Sequence, residues 1–284
     1  GVDNARSPEG SCFSRCGLGQ DPRVVLHTED VRMADHLTEI AEKEQADAAL
    51  HLAAMAIVGE CSRSPLETYS VNAIGTASFM EIVWRTGIER AVVVTTDKVY
   101  RDKGGEPWVE DDALVASGPY AVSKACADLI ARDYYQMYLK PAGKRFAIAR
   151  AGNVLVPGDR HKGRIFVDIA DALAAGEPPV IDGKGEQSMD FIHVHDIARS
   201  VVLALDCAGD NVPVNIGTGI DTTVAELARI LIDAVGVDVQ PQFSGRDVIA
   251  SRRAADVTRA REVLGFEATI PVREGMTALI RDGG

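Results

Sequence analysis

Positive charge is scarce in this chain: 30 Lys and Arg stand against 42 Asp and Glu, a formal charge of −12. Nucleic-acid binding is therefore not expected, because gripping a phosphate backbone takes concentrated basic residues. An anionic small ligand stays open, since local cations decide that. Long apolar runs are missing too. No stretch approaches the ~20 residues that a membrane-spanning helix needs, so neither a membrane segment nor a secretory signal is expected. Cysteine is sparse and odd in number: Cys12, Cys16, Cys61, Cys126 and Cys207 lie scattered, which argues for reduced thiols and a cytoplasmic protein. Cys12 and Cys16 have no second Cys or His pair at ligand spacing, so they read as loop thiols and no metal is expected. Internal repeats and low-complexity segments are absent as well.

What is present is alternation. At 284 residues the chain can fill one large domain or two closely joined ones. Short apolar or β-branched runs ("RVVLHTED", "AALHLAA", "RAVVVTTDKVY", "RFAIARAGNV") alternate with helical patterns ("ADHLTEIAEKEQ", "VNAIGTASFMEIVWRTG", "GPYAVSKACADLIARDYYQMYLK"). That order predicts an α/β fold with a parallel sheet and helices on its faces. After Val154 the texture changes, with Pro157, Gly158, Gly163, Gly176, Pro178, Pro179, Gly183 and Gly185 crowding a short span. The expected division is 1–155 as a dinucleotide-binding unit, rejoined by 193–217, with 156–192 and 218–284 forming a smaller region. In the latter, "TTVAELARILIDAVG" reads as a helix capped by Thr222 or Thr223, with Glu226 in its first turn.

In open α/β sheets ligands sit beyond the carboxyl ends of the strands. "TTDKVY" is placed there, presenting Thr96, Asp97 and Lys98. Tyr120 and Lys124 are four apart on a predicted helix and share one face. An ammonium near a phenol favours phenolate and makes a tyrosine a usable base; alone, the same spacing describes many surface pairs. Likewise Asp97 and Lys98 alone also describe a solvated ion pair of little worth. His193 and His195 in "FIHVHD" alternate on a predicted strand, so they are expected to face opposite ways, and neither is assigned to catalysis.

Taken in order, "EDVR", "HLAA", "NAIGT", "TTDKVY", "PYAVSKACAD", "ARAGNVLVPGD", "MDFIHVHDIAR", "NIGTG" and "AADVTRAREVLGFEA" resemble the extended short-chain dehydrogenase/reductases that act on nucleotide sugars, a family of 4-epimerases and 4,6-dehydratases. The resemblance implies a Rossmann-type sheet with a smaller C-terminal substrate-binding region, NAD as cofactor, a nucleotide-diphosphate sugar as substrate and a homodimer. By position it implies that Asp3, Asp30, Val31, Ala53 and Ala54 contact NAD, together with Tyr120 and Lys124. Thr96 then bonds the sugar O4, and Asn153, Arg164, Arg246, Arg252 and Arg253 contact the substrate's nucleotide and diphosphate. An acid and a second ionisable group after the Thr look like the pattern of CDP-glucose 4,6-dehydratase and related enzymes. The expected reaction is dehydration to a 4-keto-6-deoxy sugar nucleotide, with Tyr120, Thr96, Lys124, Asp97 and Lys98 catalytic. The alternatives are a 4-epimerase and a catalytically inactive relative that acts as a binding protein.

One family feature is absent. No strand, G-x-x-G-x-x-G turn and helix occur anywhere in the chain, although that unit holds the pyrophosphate in the family. The first strand, glycine-rich turn and first helix, roughly 30 residues, are expected to belong to a longer polypeptide of which this chain is a fragment. Met189 also stands where many members have arginine, and Arg101 where glycine is usual.

Overall fold

The computed structural model describes residues 2–3, 17–159, 161–207, 213–247 and 254–281. Its centre is the strand Arg90–Thr96, "RAVVVTT", whose β-branched run suits a pleated surface buried on both faces. It pairs in parallel with Ala48–His51 on one side and Arg145–Ala151 on the other, and Val214–Ile216 pairs in parallel beyond the latter. Helices supply the crossovers that parallel strands require. One runs from Pro65 through a π turn, Ser70–Ile74, to Gly75–Arg85; the other is Pro119–Tyr134, extended by a π turn over Tyr135–Leu139.

Alternation along Arg145–Ala151 assigns its two faces. Phe146 and Ile148 pack with Met80, Val83, Ala131 and Tyr135 under the crossover helices. Ala147 and Ala149 pack with Val201, Ala204, Leu264 and Phe266 under the helices Val194–Cys207 and Thr258–Leu264. A further core gathers Leu155, Phe166, Ile169, Phe191, Leu227, Leu231 and Met276. It lies among the helices Ile165–Ala174, Val224–Val235 and Val272–Arg281. The Val224–Val235 helix begins with the expected capping box: Thr223 Oγ1 accepts from the Glu226 amide while the Glu226 carboxylate accepts from the Thr223 amide.

The α/β class with a parallel sheet is as expected; among the described residues one four-stranded set and four two-stranded sets are hydrogen-bonded, one of the latter pairing Asn153–Leu155 with Phe191–His193. Val2–Asp3 pairs in parallel with His27–Thr28, apart from the four-stranded set. The strand expected in "RVVLHTED" is only two residues long. His195 departs from expectation: the strand ends at His193 and His195 lies in the helix that follows. The two rings meet edge to face, with centroids 4.9 Å apart, instead of pointing to opposite sides. Among the described residues no helix is long and apolar enough to cross a membrane, and no group of three or more metal-ligating side chains occurs.

Candidate active site

A cleft of about 420 Å³ opens at the carboxyl ends of the central strands, where Leu52, Ala54, Thr96, Lys98, Gly152 and Asn153 line it. Tyr120 and Lys124 line it from the crossover helix, and Arg164, Phe166 and Met189 from the side of the core that holds Leu155 and Phe166.

Thr96 ends its strand and caps the turn after it. Its hydroxyl donates to Asp97 Oδ1 at 3.0 Å and accepts from the Lys98 amide at 3.3 Å. Asp97 is 1% exposed, and its Oδ2 has no hydrogen-bond partner. Lys98 Nζ lies 4.0 Å from Asp97 Oδ1 and donates to Asn153 Oδ1 at 2.9 Å. The motif is therefore a tight turn that buries its acid and keeps its amine at the cleft.

The Tyr120 phenol is pushed up to about 12, chiefly by burial; Asp97 adds to this, and a hydrogen bond with Thr96 opposes it. Burial draws the Lys124 ammonium down to about 8. Lys124 shares a helix face with Tyr120, as expected, yet its Nζ donates to the Val94 carbonyl at 2.7 Å. The sequence leads one to expect an ammonium beside the phenol that lowers its pKa; here burial is the largest influence on Tyr120, and the Lys124 ammonium is bonded to the strand.

The helix carrying Tyr120 is tied to the loop after Ala48–His51 by Asn72, which projects from the π turn. Asn72 Oδ1 accepts from the Met55 amide at 2.8 Å, and Nδ2 donates to the Met55 carbonyl and to Ser123 Oγ, both at 2.9 Å. Such turns recur at functional sites because they re-aim one side chain.

The remaining expected residues divide. Ala54 lines the cleft; Ala53 does not. Asp30 accepts a two-pronged contact from Arg32, at 2.9 and 2.5 Å, and Val31 packs on Gly75; neither lines the cleft. Asp3 pairs through its backbone with Thr28, and its side chain lies outside the described residues. Arg164 lines the cleft, 3.2 Å from Asp159 Oδ2. Arg246 is exposed, 3.6 Å from Asp182, and is not part of the cleft wall. Arg252 and Arg253 lie outside the described residues.

Sequence reasoning misses Asp190. Wholly buried, it accepts from the Thr218 amide at 2.8 Å, the Thr218 hydroxyl at 2.6 Å and the Gly219 amide at 2.8 Å. Its carbonyl accepts from the Asn153 amide at 2.7 Å. Gly152 and Gly217 are required around it, since a Cβ would lie 2.9 Å from the Asp190 carbonyl oxygen in one case and 2.5 Å from Oδ2 in the other. Burial raises its carboxyl to about 6 against those three donors, and Asp97 adds to the rise. The one signal in the sequence is an acid interrupting the apolar run "MDFIHV".

Residues 6–217 match the NAD dependent epimerase/dehydratase family. The UDP-glucose 4-epimerase of Mycolicibacterium smegmatis is 29% identical over 255 residues, 88% of this chain and 80% of that protein. The CDP-glucose 4,6-dehydratase of Salmonella typhimurium is 32% identical over 165 residues, 55% of this chain and 45% of that protein. A solved dTDP-glucose 4,6-dehydratase of Streptomyces venezuelae, a double mutant with NAD bound, superimposes with a TM-score of 0.84 at 26% identity, over 99% of this chain and 85% of that one. On the family match over most of its length, the chain belongs to the NAD dependent epimerase/dehydratase family.

Proposed function

We propose that this member of the family is a nucleotide-sugar 4,6-dehydratase. The observation that carries the reading is the Thr96–Asp97–Lys98 turn: an amine at the cleft wall beside Thr96 and Tyr120, and next to it a buried acid with one unpartnered oxygen that does not itself line the cleft. A 4-epimerase has use for Tyr120, Thr96 and Lys124 but no work for that second acid and base.

NAD is the family's cofactor, and the residues present fit its nicotinamide-ribose half: Lys124 is a buried donor at the floor of the cleft, suited to ribose hydroxyls. A glycine-rich turn for the pyrophosphate does not occur in the chain, so no residue is assigned to that part. When bound, NAD supplies the hydride acceptor for the sugar C4, the hydride donor for C6, and a positive ring that favours the Tyr120 phenolate.

The chain's own residues do the rest. Tyr120 takes the O4 proton, and Thr96 orients that oxygen by a hydrogen bond. Once C4 is a ketone, the C5 proton is acidic. Lys98, as the neutral amine, removes it; the C5–H electrons form the C5–C6 double bond and the C6–O bond breaks. Asp97, protonated, gives its proton to the departing hydroxide, so one water leaves. Lys98 then returns a proton to C5 as C6 is reduced, and the product is a 4-keto-6-deoxy sugar. Arg164 suits the diphosphate, because a guanidinium matches phosphate oxygens in pairs.

Incubation with CDP-, dTDP-, GDP- and UDP-hexoses and a mass readout tests this. The expected result is loss of one water from one of them, abolished in Lys98→Met and lowered about 10²-fold in Asp97→Asn. Unchanged mass with inverted C4 stereochemistry, indifferent to Lys98→Met, would establish the epimerase instead.

A further inference from the structure

Asn153 enters the sequence reading as a contact for the substrate diphosphate; its surroundings assign it other work. Its side-chain amide stands between two partners of opposite need. Nδ2 lies 3.5 Å from the Asp190 carbonyl oxygen, which also takes the Asn153 backbone amide at 2.7 Å. Oδ1 faces the cleft and accepts from Lys98 Nζ at 2.9 Å. Flipping the amide would set a donor against an ammonium and an acceptor against a carbonyl, so the charged state of Lys98 favours the orientation seen. The anchor is rigid in turn, because the Asp190 carboxylate is clamped by Thr218 and Gly219, and Gly152 leaves no room for a Cβ against the Asp190 backbone.

We propose that Asn153 is the positioning residue for Lys98: an uncharged acceptor, locked to Asp190, that holds the nitrogen at the cleft wall in both of its charge states. This rests on the reading of Lys98 as the elimination base. Such a base must lose and regain a proton in every turnover. An amide oxygen can accept from either the ammonium or the neutral amine, more strongly from the former, but brings no charge of its own, whereas a carboxylate at 153 would favour the ammonium far more and hold the base in its useless form.

Hydrogen exchange at C5 of the 4-keto-6-deoxy product, followed by NMR in deuterated water across pH, isolates the Lys98 step from oxidation at C4. Among the described residues the ionisable groups that face Lys98 include Asp97 on its own turn, Tyr120 and Lys124 on the crossover helix, Arg164 across the cleft and Asp190 behind Asn153. All of these are common to wild type and Asn153→Asp, so a difference between the two profiles reports position 153. In Asn153→Asp the exchange profile moves about one unit to higher pH, roughly tenfold slower at pH 7, since an opposite charge favours the ammonium. In Asn153→Ala exchange falls more than about tenfold with its midpoint unmoved, because the amine loses its anchor and gains no charge. Profiles of both variants that overlay the wild type, with Lys98→Met inactive, would overturn the positioning role and leave Lys98 as the base. Exchange persisting in Lys98→Met would overturn the reading of Lys98 itself.

Discussion

His51 and Asp190 are buried ionisable groups that burial shifts in opposite directions. His51 is stacked on Phe79, with ring centroids 5.0 Å apart, and its Nε2 lies 3.1 Å from Thr76 Oγ1. Because the Thr76 hydroxyl proton is spent on the Asn72 carbonyl, the imidazole is the donor and stays neutral; burial, then the Lys124 charge, holds it down to about 3. Between 6.5 and that value the unfolded chain binds a proton that the native state refuses. Stability therefore drops as pH falls, by about 1.4 kcal/mol per unit. Asp190, raised to about 6, is protonated natively between about pH 4 and 6, where the unfolded chain has it ionised. Its contribution is fully present below its ordinary value near 4 and is lost as pH rises through 6. Thermal unfolding between pH 4 and 6 checks both signs. Relative to wild type, His51→Asn gains stability as pH is lowered and Asp190→Asn loses it. Tyr120, Lys124, Thr96 and Lys98 were legible as cleft residues because helical spacing and a strand end place them. Asp190 was not, since its donors come from a loop 28 positions later.

The π turn is where an element shapes the site. Periodicity in "VNAIGTASFMEIVWRTG" predicts a helix, and a helix forms, but the wider turn at Ser70–Ile74 leaves no trace in a 3.6-residue pattern, and with it Asn72 escapes notice. By contrast, the Thr223–Glu226 capping box is a local signature and was legible in full. Asn72 is 1% exposed and bonds both backbone groups of the half-buried Met55, so truncation removes three hydrogen bonds at once, strands the Met55 amide and leaves the Met55 carbonyl only the weak Cys61 thiol as donor. Asn72→Ala should cost about 3 kcal/mol and lower the thermal midpoint by roughly 5–10 °C. Ser123→Ala removes one bond of the same set and should cost about 1 kcal/mol. Calorimetry on the two variants measures the gap; equal losses would mean that Asn72 acts only through Ser123.

Over the whole molecule, the parallel order was legible because each strand–helix repeat announces itself locally. What joins the repeats was not. Arg150 is 0% exposed on the strand Arg145–Ala151 and grips Asp128 of the Tyr120 helix by two bonds, 2.8 and 2.7 Å. It also donates to the Tyr100 hydroxyl and the Glu110 carbonyl, and Tyr100 donates to Asn215 on the edge strand Val214–Ile216. Thr95, one residue before the cleft threonine, bonds the same Asp128 carboxylate at 3.3 Å. One ion pair thereby ties the sheet, a crossover helix and the 100–110 segment into a unit that holds Thr96 opposite Tyr120. Its energetics follow from desolvation. Removing only the anion leaves a guanidinium sealed from water, so Asp128→Asn should lower stability by about 3–5 kcal/mol. Replacing both partners, as Asp128→Leu with Arg150→Met, removes the charge along with its counter-charge and should recover most of that loss. Urea unfolding of the two variants decides the matter: a double variant as unstable as Asp128→Asn would mean that the hydrogen bonds of Arg150 to Tyr100 and Glu110, and not the buried charge, hold these elements together.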